Sequence, residues 1–140
     1  MALPSHLTLE IVTPERAIAH AEVDEVQIPG AEGYLGILPG HTPLLASLQV
    51  GQMWYRKGQE RFYLSIAFGF AEILPDRVTI LAQMAERAEE IDVERAEEEK
   101  RRAEAQMSKR ASAADLEVAR ISMLKALSRL QAAQKARSRR

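Results

Sequence analysis

Arg95 and Arg102 stand seven residues apart, a spacing that on a helix puts both guanidinium groups on one face, two turns from each other. Lys125 and Arg129 repeat the arrangement one turn apart. If these two stretches pair as helices, four cations converge, and converging cations suit a triphosphate. Glu86 and Asp92 lie near enough along the chain to meet an accompanying ribose or base. The same residues also fit ordinary surface pairing, such as Glu98 with Arg102 at i,i+4, and spacing alone leaves both readings open. Covalent chemistry has little support. His6, His20 and His41 lack the short spacing of a metal site, and cysteine is absent, which argues against a jelly-roll metalloenzyme. Serine nucleophile motifs and Gly-rich phosphate loops are absent as well. The many carboxylates read as solvated helix faces, so no catalytic residue is expected.

The elements that must carry these side chains fall into two parts with different composition. A chain of 140 residues, 46% apolar and 28% charged, is a folding sequence with room for one core and an appendage. All seven glycines, six prolines and seven aromatic residues lie at or before Pro75. The first part reads as short strands: His6 to Val12, Ala17 to Pro29, Leu44 to Val50, Gln52 to Arg56, Arg61 to Ala67, Phe70 to Leu74 and Val78 to Ala82. Turn formers such as Thr13-Pro14, Pro39-Gly40 and Lys57-Gly58 separate them, the pattern of a sandwich or barrel. Between two of these strands, Gly33 to Leu45 (GYLGILPGHTPLL) is apolar yet full of breakers. It reads as a structural turn or, being stiffened by prolines, as a contact surface.

After Ala85 the chain is rich in Ala, Glu, Arg, Lys, Leu and Met, residues that lose little on entering a helix. One helix is predicted from an Asp92 cap to Met107, and a second after Ser112, whose spacing to Asp115 is that of a capping box. Their seam is predicted from Val93, Ala96, Ala103 and Met107 on the first helix, and from Leu116, Ala119, Met123, Leu127, Leu130 and Ala133 on the second. Burying an alanine methyl contributes only about 0.8 kcal/mol, so a hairpin built this way is weakly held and could open. Charge also changes along the chain: residues 105–140 carry nine basic and two acidic side chains. Such a tail can meet nucleic acid, an anionic membrane or an acidic protein patch. It lacks the aromatic residues that stack on bases, so no nucleic-acid partner is expected.

Four segments in order, LEIVTPER at 9–16, QIPGAEG at 27–33, GYLGILPGHTPLL at 33–45 and RVTILAQMAERAEEIDVERA at 77–96, make the chain similar to the epsilon subunits of bacterial F-type ATP synthases. The resemblance implies an all-β N-terminal sandwich of about ten strands at 1–85, followed by an antiparallel α-helical hairpin at 86–140. It implies a non-catalytic rotor subunit of the central stalk that couples proton-driven rotation of the c-subunit ring to ATP synthesis. The partners implied are the gamma subunit and that ring, met through Glu32, Tyr34, His41 and Thr42. The hairpin is expected to extend into the alpha/beta catalytic head and impede ATP hydrolysis, through Lys109, Arg110, Arg120, Lys125 and Arg129. The family's nucleotide pattern is matched by Ile91, Asp92, Arg95 and Ala96, joined by Glu86, Arg102 and Arg129, with Lys125 where arginine is usual. No cofactor is required by this reading, and ATP is a regulatory ligand. Other departures are Tyr34 in place of an acid, Gln83 in place of Asp, and AFGF at 67–70 in place of a double glycine.

The start MALPSHLTLEIV lacks the features of a signal peptide, and no stretch is apolar enough to span a bilayer. The implied location is the cytoplasmic side of the bacterial plasma membrane, reached only through the complex. The alternative reading is a stand-alone ATP-sensing module built on Asp92, Arg95 and Arg102.

Overall fold

Alternation of apolar and polar residues with period two makes strands that bury one face, and Leu7, Leu9 and Ile11 show it from the first strand onward. A computed structural model describes residues 3–138; Arg139 and Arg140, counted in the cationic tail, lie outside the described residues. Seven strands form: β1 (Leu7–Val12), β2 (Ala17–Val23), β3 (Glu25–Gly30), β4 (Gly33–Ile37), β5 (Leu44–Lys57), β6 (Glu60–Leu74) and β7 (Arg77–Arg87). They are ordered β2-β1-β7-β6-β5-β3-β4, with β1 and β7 parallel and the other pairs antiparallel.

The expected count of about ten strands is corrected to seven, and the reason is a corner. Phe68 and Gly69 both have positive φ, 60° and 132°. Both ladders of β6 skip one pair there, between Leu48↔Gly69 and Val50↔Ala67 on one side and between Gly69↔Ala82 and Ala67↔Met84 on the other. The long strands β5, β6 and β7 pass through this corner and serve in two layers. The first layer holds β2, β1 and the segments of the long strands that pair around Phe70; the second holds β3, β4 and the segments that pair around Ser65. Counting each long strand once per layer recovers ten segments. One continuous core, including Leu9, Ile28, Met53, Ile66 and Ile80, fills the space between the layers.

Other boundaries differ from the sequence reading as well: β7 runs past the expected Ala82 to Arg87, so Glu86 and Arg87 belong to the last strand and not to the helical part. Ala17 to Pro29 is broken at Asp24, whose carboxylate accepts the Gly58 N–H at 2.6 Å and meets His6 at 3.0 Å. The Gly58 bond first, and His6 second, hold this carboxyl below its ordinary range. Its contribution is therefore present above the ordinary carboxylate pKa and lost as pH falls through the lowered value. The segment Gly33 to Leu45 is a strand for its first five residues, β4, lying at the open edge of the sheet.

Beyond β7, a single 3-10 turn at Ala88–Glu90 leads into α1 (Val93–Met107) and α2 (Ala113–Arg137). Both caps form as expected: Asp92 accepts the Arg95 N–H and Ser112 accepts the Asp115 N–H, each at 3.1 Å. The predicted leucine seam needs correction. Leu116 is 37% exposed and Met123, Leu127 and Leu130 are half-buried, whereas Ala119, Ala126, Ser128, Ala132 and Ala133 are buried. On α1, Ala96 and Ala103 are buried but Met107 is exposed. The reason is that α2 has two neighbours, α1 and the second layer of the sandwich. Small residues let all three backbones approach, and the larger side chains are pushed to the flanks.

Candidate functional site

Pleating decides which residues of the second layer meet the hairpin. Leu64 and Ile66 of β6 point into the core, so Tyr63 and Ser65 point outward, in line with Trp54 and Gln52 of β5 and with Glu86 of β7. The C-terminal half of α2 lies on this outer face. Tyr63, Ala88, Ile91, Ala132 and Ala133 form a cluster separate from the sandwich core, with Trp54 packed against it. Ser65 and Ser128 hydrogen-bond across the contact at 2.8 Å, both buried. Beside them Arg129 Nε donates to Glu86 at 2.9 Å, and its Nη1 donates to Glu99 of α1 at 3.1 Å. One guanidinium thus joins β7, α1 and α2, with its side chain only 18% exposed.

Linker residues are fastened too. Arg16 pairs with Glu90, the main cause of its raised pKa, and Arg87 pairs with Glu90 and donates to the Ile18 carbonyl. Apolar burial in the hairpin contact is modest, about 0.8 kcal/mol per alanine methyl, so the Arg129 pairs are a substantial part of what holds it. Replacement of Arg129 by Met is expected to weaken docking by about 1–2 kcal/mol. Amide exchange in α1 and α2 should then rise roughly tenfold while β6 core amides keep parental rates. Equal acceleration in both regions would contradict a separately held hairpin.

The structure gathers four of the eight residues assigned to nucleotide in one cleft. Glu86, Arg95, Lys125 and Arg129 line a cleft of about 420 Å³ between β7 and the hairpin, together with Arg16, Glu99 and neighbouring residues. Arg102 and Lys125 line a second cavity of about 690 Å³ between α1 and α2, which also takes in Lys109 and Arg110. Asp92 is engaged as a helix cap, Ile91 and Ala96 are buried, and Arg102 pairs with Glu98 at 2.9 Å. Arg95 donates to Glu99 at 3.2 Å. Glu99, which joins Arg95 to Arg129, escapes the sequence reading because it is one of three successive glutamates.

The residues assigned to the catalytic head are not on one surface. Lys109 and Arg110 lie at the hairpin tip and Arg129 against the sandwich. Arg120, nine residues before Arg129, lies about half a turn round α2 from it, and it pairs with Glu117, lowering that carboxyl. The rotor residues also divide. Glu32 is in the β3–β4 turn, and Tyr34 borders a cleft under the C-terminal end of α2. His41 donates to the Thr42 carbonyl at 2.6 Å in the β4–β5 connection, which is tied to the β6–β7 turn by Gly40 N–H donating to Pro75 O at 2.7 Å. A face missed by sequence reading is the outer side of the first layer, where Phe70 and Leu81 are adjacent partners, 55% and 56% exposed, with Leu45 72% exposed nearby. Its signal, Leu45, Phe70 and Leu81 at outward strand positions, is legible only once register is known.

A bent sandwich carrying a separately packed two-helix hairpin is the class these features define. The beta-sandwich domain of the ATP synthase Delta/Epsilon chain matches residues 6–88, and the long alpha-helix domain of the same chain matches residues 89–134. The ATP synthase epsilon chain of Herpetosiphon aurantiacus is 49% identical over 133 residues, 95% of this chain and 98% of that one. That of Koribacter versatilis is 57% identical over 95 residues, 68% of this chain and 67% of its own. A chain of the Euglena gracilis mitochondrial ATP synthase superposes with a TM-score of 0.83 at 24% identity, covering 96% of this chain and 84% of that one. One from the central stalk and c-ring of the Tetrahymena thermophila enzyme gives 0.63 at 15% identity, covering 96% and 98%. At such identities the two structures share the fold.

The chain belongs to the ATP synthase delta/epsilon chain family, as an epsilon chain of the bacterial F-type enzyme. It is an epsilon subunit of that enzyme and not the catalytic one. No helix among the described residues is long and apolar enough to cross a membrane.

Proposed function

We propose that this subunit transmits rotation between the c-subunit ring and the catalytic head, and that its hairpin leaves the sandwich to restrain ATP hydrolysis. The observation that carries the second part is the separation of the two cores. The hairpin rests on a small cluster of alanines and Ile91 against Tyr63 and Trp54, one serine pair and Arg129, while the sandwich core is complete without it. The first part is supported by the stiff bent sheet and by the uncovered apolar face around Phe70 and Leu81, which suits a fixed partner such as the gamma subunit. Glu32, Tyr34, His41 and Thr42 are the proposed contacts with the rotor partners, and Lys109, Arg110, Arg120, Lys125 and Arg129, carried on more than one face of the released helices, those with acidic groups of the alpha/beta head. The location that follows is peripheral, on the cytoplasmic side of the bacterial plasma membrane.

Truncation after Glu90 tests this. The truncated chain is expected to stay folded, to bind gamma, and to raise ATP hydrolysis by the reconstituted enzyme several-fold while rotation-coupled synthesis continues. Hydrolysis equal to that of the parent would end the inhibitory reading.

A second reading has its own support. The cleft lined by Arg95, Lys125 and Arg129 is of ligand size, and ATP bound there would hold the hairpin down. ATP is then a regulatory ligand and not a cofactor of any reaction.

A further inference from the structure

The cleft between β7 and the hairpin is lined by four cations, Arg16, Arg95, Lys125 and Arg129, against three carboxylates, Glu15, Glu86 and Glu99. Glu99 is the most central of the three acids. Its Oε1 accepts from Arg95 at 3.2 Å, its Oε2 accepts from Arg129 at 3.1 Å, and it also borders the cavity between the helices. Among the described residues, Lys125 has no ion pair and Arg16 pairs with Glu90, so two of the three arginines lining the cleft, Arg95 and Arg129, are held by Glu99. A phosphate chain entering this cleft must take Arg95 and Arg129 away from that carboxylate.

We infer that Glu99 is the built-in counter-anion of the cleft: it closes the hairpin on the sandwich without a bound ligand and competes with any added polyphosphate. The competition rests on the reading that the cleft takes ATP; the closure does not. In the free subunit, with no catalytic head competing for the hairpin, the hairpin stays docked when ATP is scarce, and its position responds weakly to ATP. Removing the Glu99 charge frees Arg95, leaves Arg129 with Glu86 alone, gives the cleft two excess cations, and makes closure depend more on an anion from solution.

The test uses the full chain carrying Glu99→Gln, which keeps length and helix propensity, so folding is not at stake. Trp54, the sole tryptophan, packs against the cluster under α2 and reports docking by its emission. At low ionic strength and without polyvalent anions, the parent is expected to be docked and to ignore added ATP or tripolyphosphate. E99Q should release its hairpin about tenfold more often. Either polyphosphate should restore parental emission, binding about tenfold tighter than to the parent by calorimetry. Glu98→Gln removes only the exposed pair with Arg102 and should change neither readout. Parental emission of E99Q in anion-free buffer would overturn the inference. Restoration by tripolyphosphate but not by ATP would keep the counter-anion and remove the nucleotide reading. An emission change with no binding of either polyphosphate would do the same.

Discussion

Oxidation of a Ser65→Cys, Ser128→Cys double variant is expected to raise ATP hydrolysis by the assembled enzyme to the level of the hairpin-truncated form, and reductant should return it to the parental rate. The two hydroxyls already meet at 2.8 Å across the contact between β6 and α2, so small rotamer changes bring two sulfurs into bonding reach. Cysteine is otherwise absent, which makes the bond unique and verifiable by gel mobility. A covalent tie of this kind removes the released state, where the cost of closing without it is only a few weak contacts. The face around Phe70, proposed to meet gamma, is untouched, because it lies on the opposite layer. Equal hydrolysis before and after reduction, with the bond shown to form, would mean that hairpin movement does not govern the rate.

Gly69→Ala is expected to remove most of the stability of the sandwich. A Cβ at this position would lie 2.1 Å from the Leu81 carbonyl oxygen and 2.8 Å from the Ala82 Cα, both backbone atoms of β7. It would also sit on a backbone with φ of +132°, which residues with a side chain rarely adopt. Strain and overpacking together are expected to cost about 3–5 kcal/mol, against a total of roughly 5–15 for a domain. In urea the midpoint should fall by about 2 M. Gly58→Ala is the comparison: its φ is +58° but nothing lies within 4 Å, so the loss should be near 1 kcal/mol. Equal midpoints for the two variants would show that the corner is not held by close approach at Gly69.

What is legible in the sequence depends on how local its cause is. Both helix caps are readable because each is an agreement between one side chain and an N–H three residues on. Strand β4 is hard to read because Gly33 and Gly36 look like breakers, yet an edge strand tolerates them, and neither position faces a neighbour. Joining two short runs into β6 requires knowing that Phe68 and Gly69 turn a strand instead of ending it. Periodicity marks the buried side of α2 poorly because two neighbours share that helix, and their angle is a tertiary property. Among Glu97, Glu98 and Glu99, only the packing of α1 on α2 decides which carboxylate reaches Arg129. The cation positions are visible as a spacing; their partners are not.

Fastening of the linker by Arg16, Arg87 and Glu90 has a consequence for reach. Motion of the hairpin must pivot beyond Glu90, since the chain before it is clamped to β2. From that pivot α1 is a lever of 15 residues and α2 one of 25, about 22 Å and 37 Å long at the rise of an α-helix. Laid end to end they sweep a radius of roughly 60 Å, against barely 40 Å if they swing as a folded pair. Two concentric zones of the assembly are therefore within range, and which one the cationic tip touches is decided by whether the alanine seam between the helices unzips.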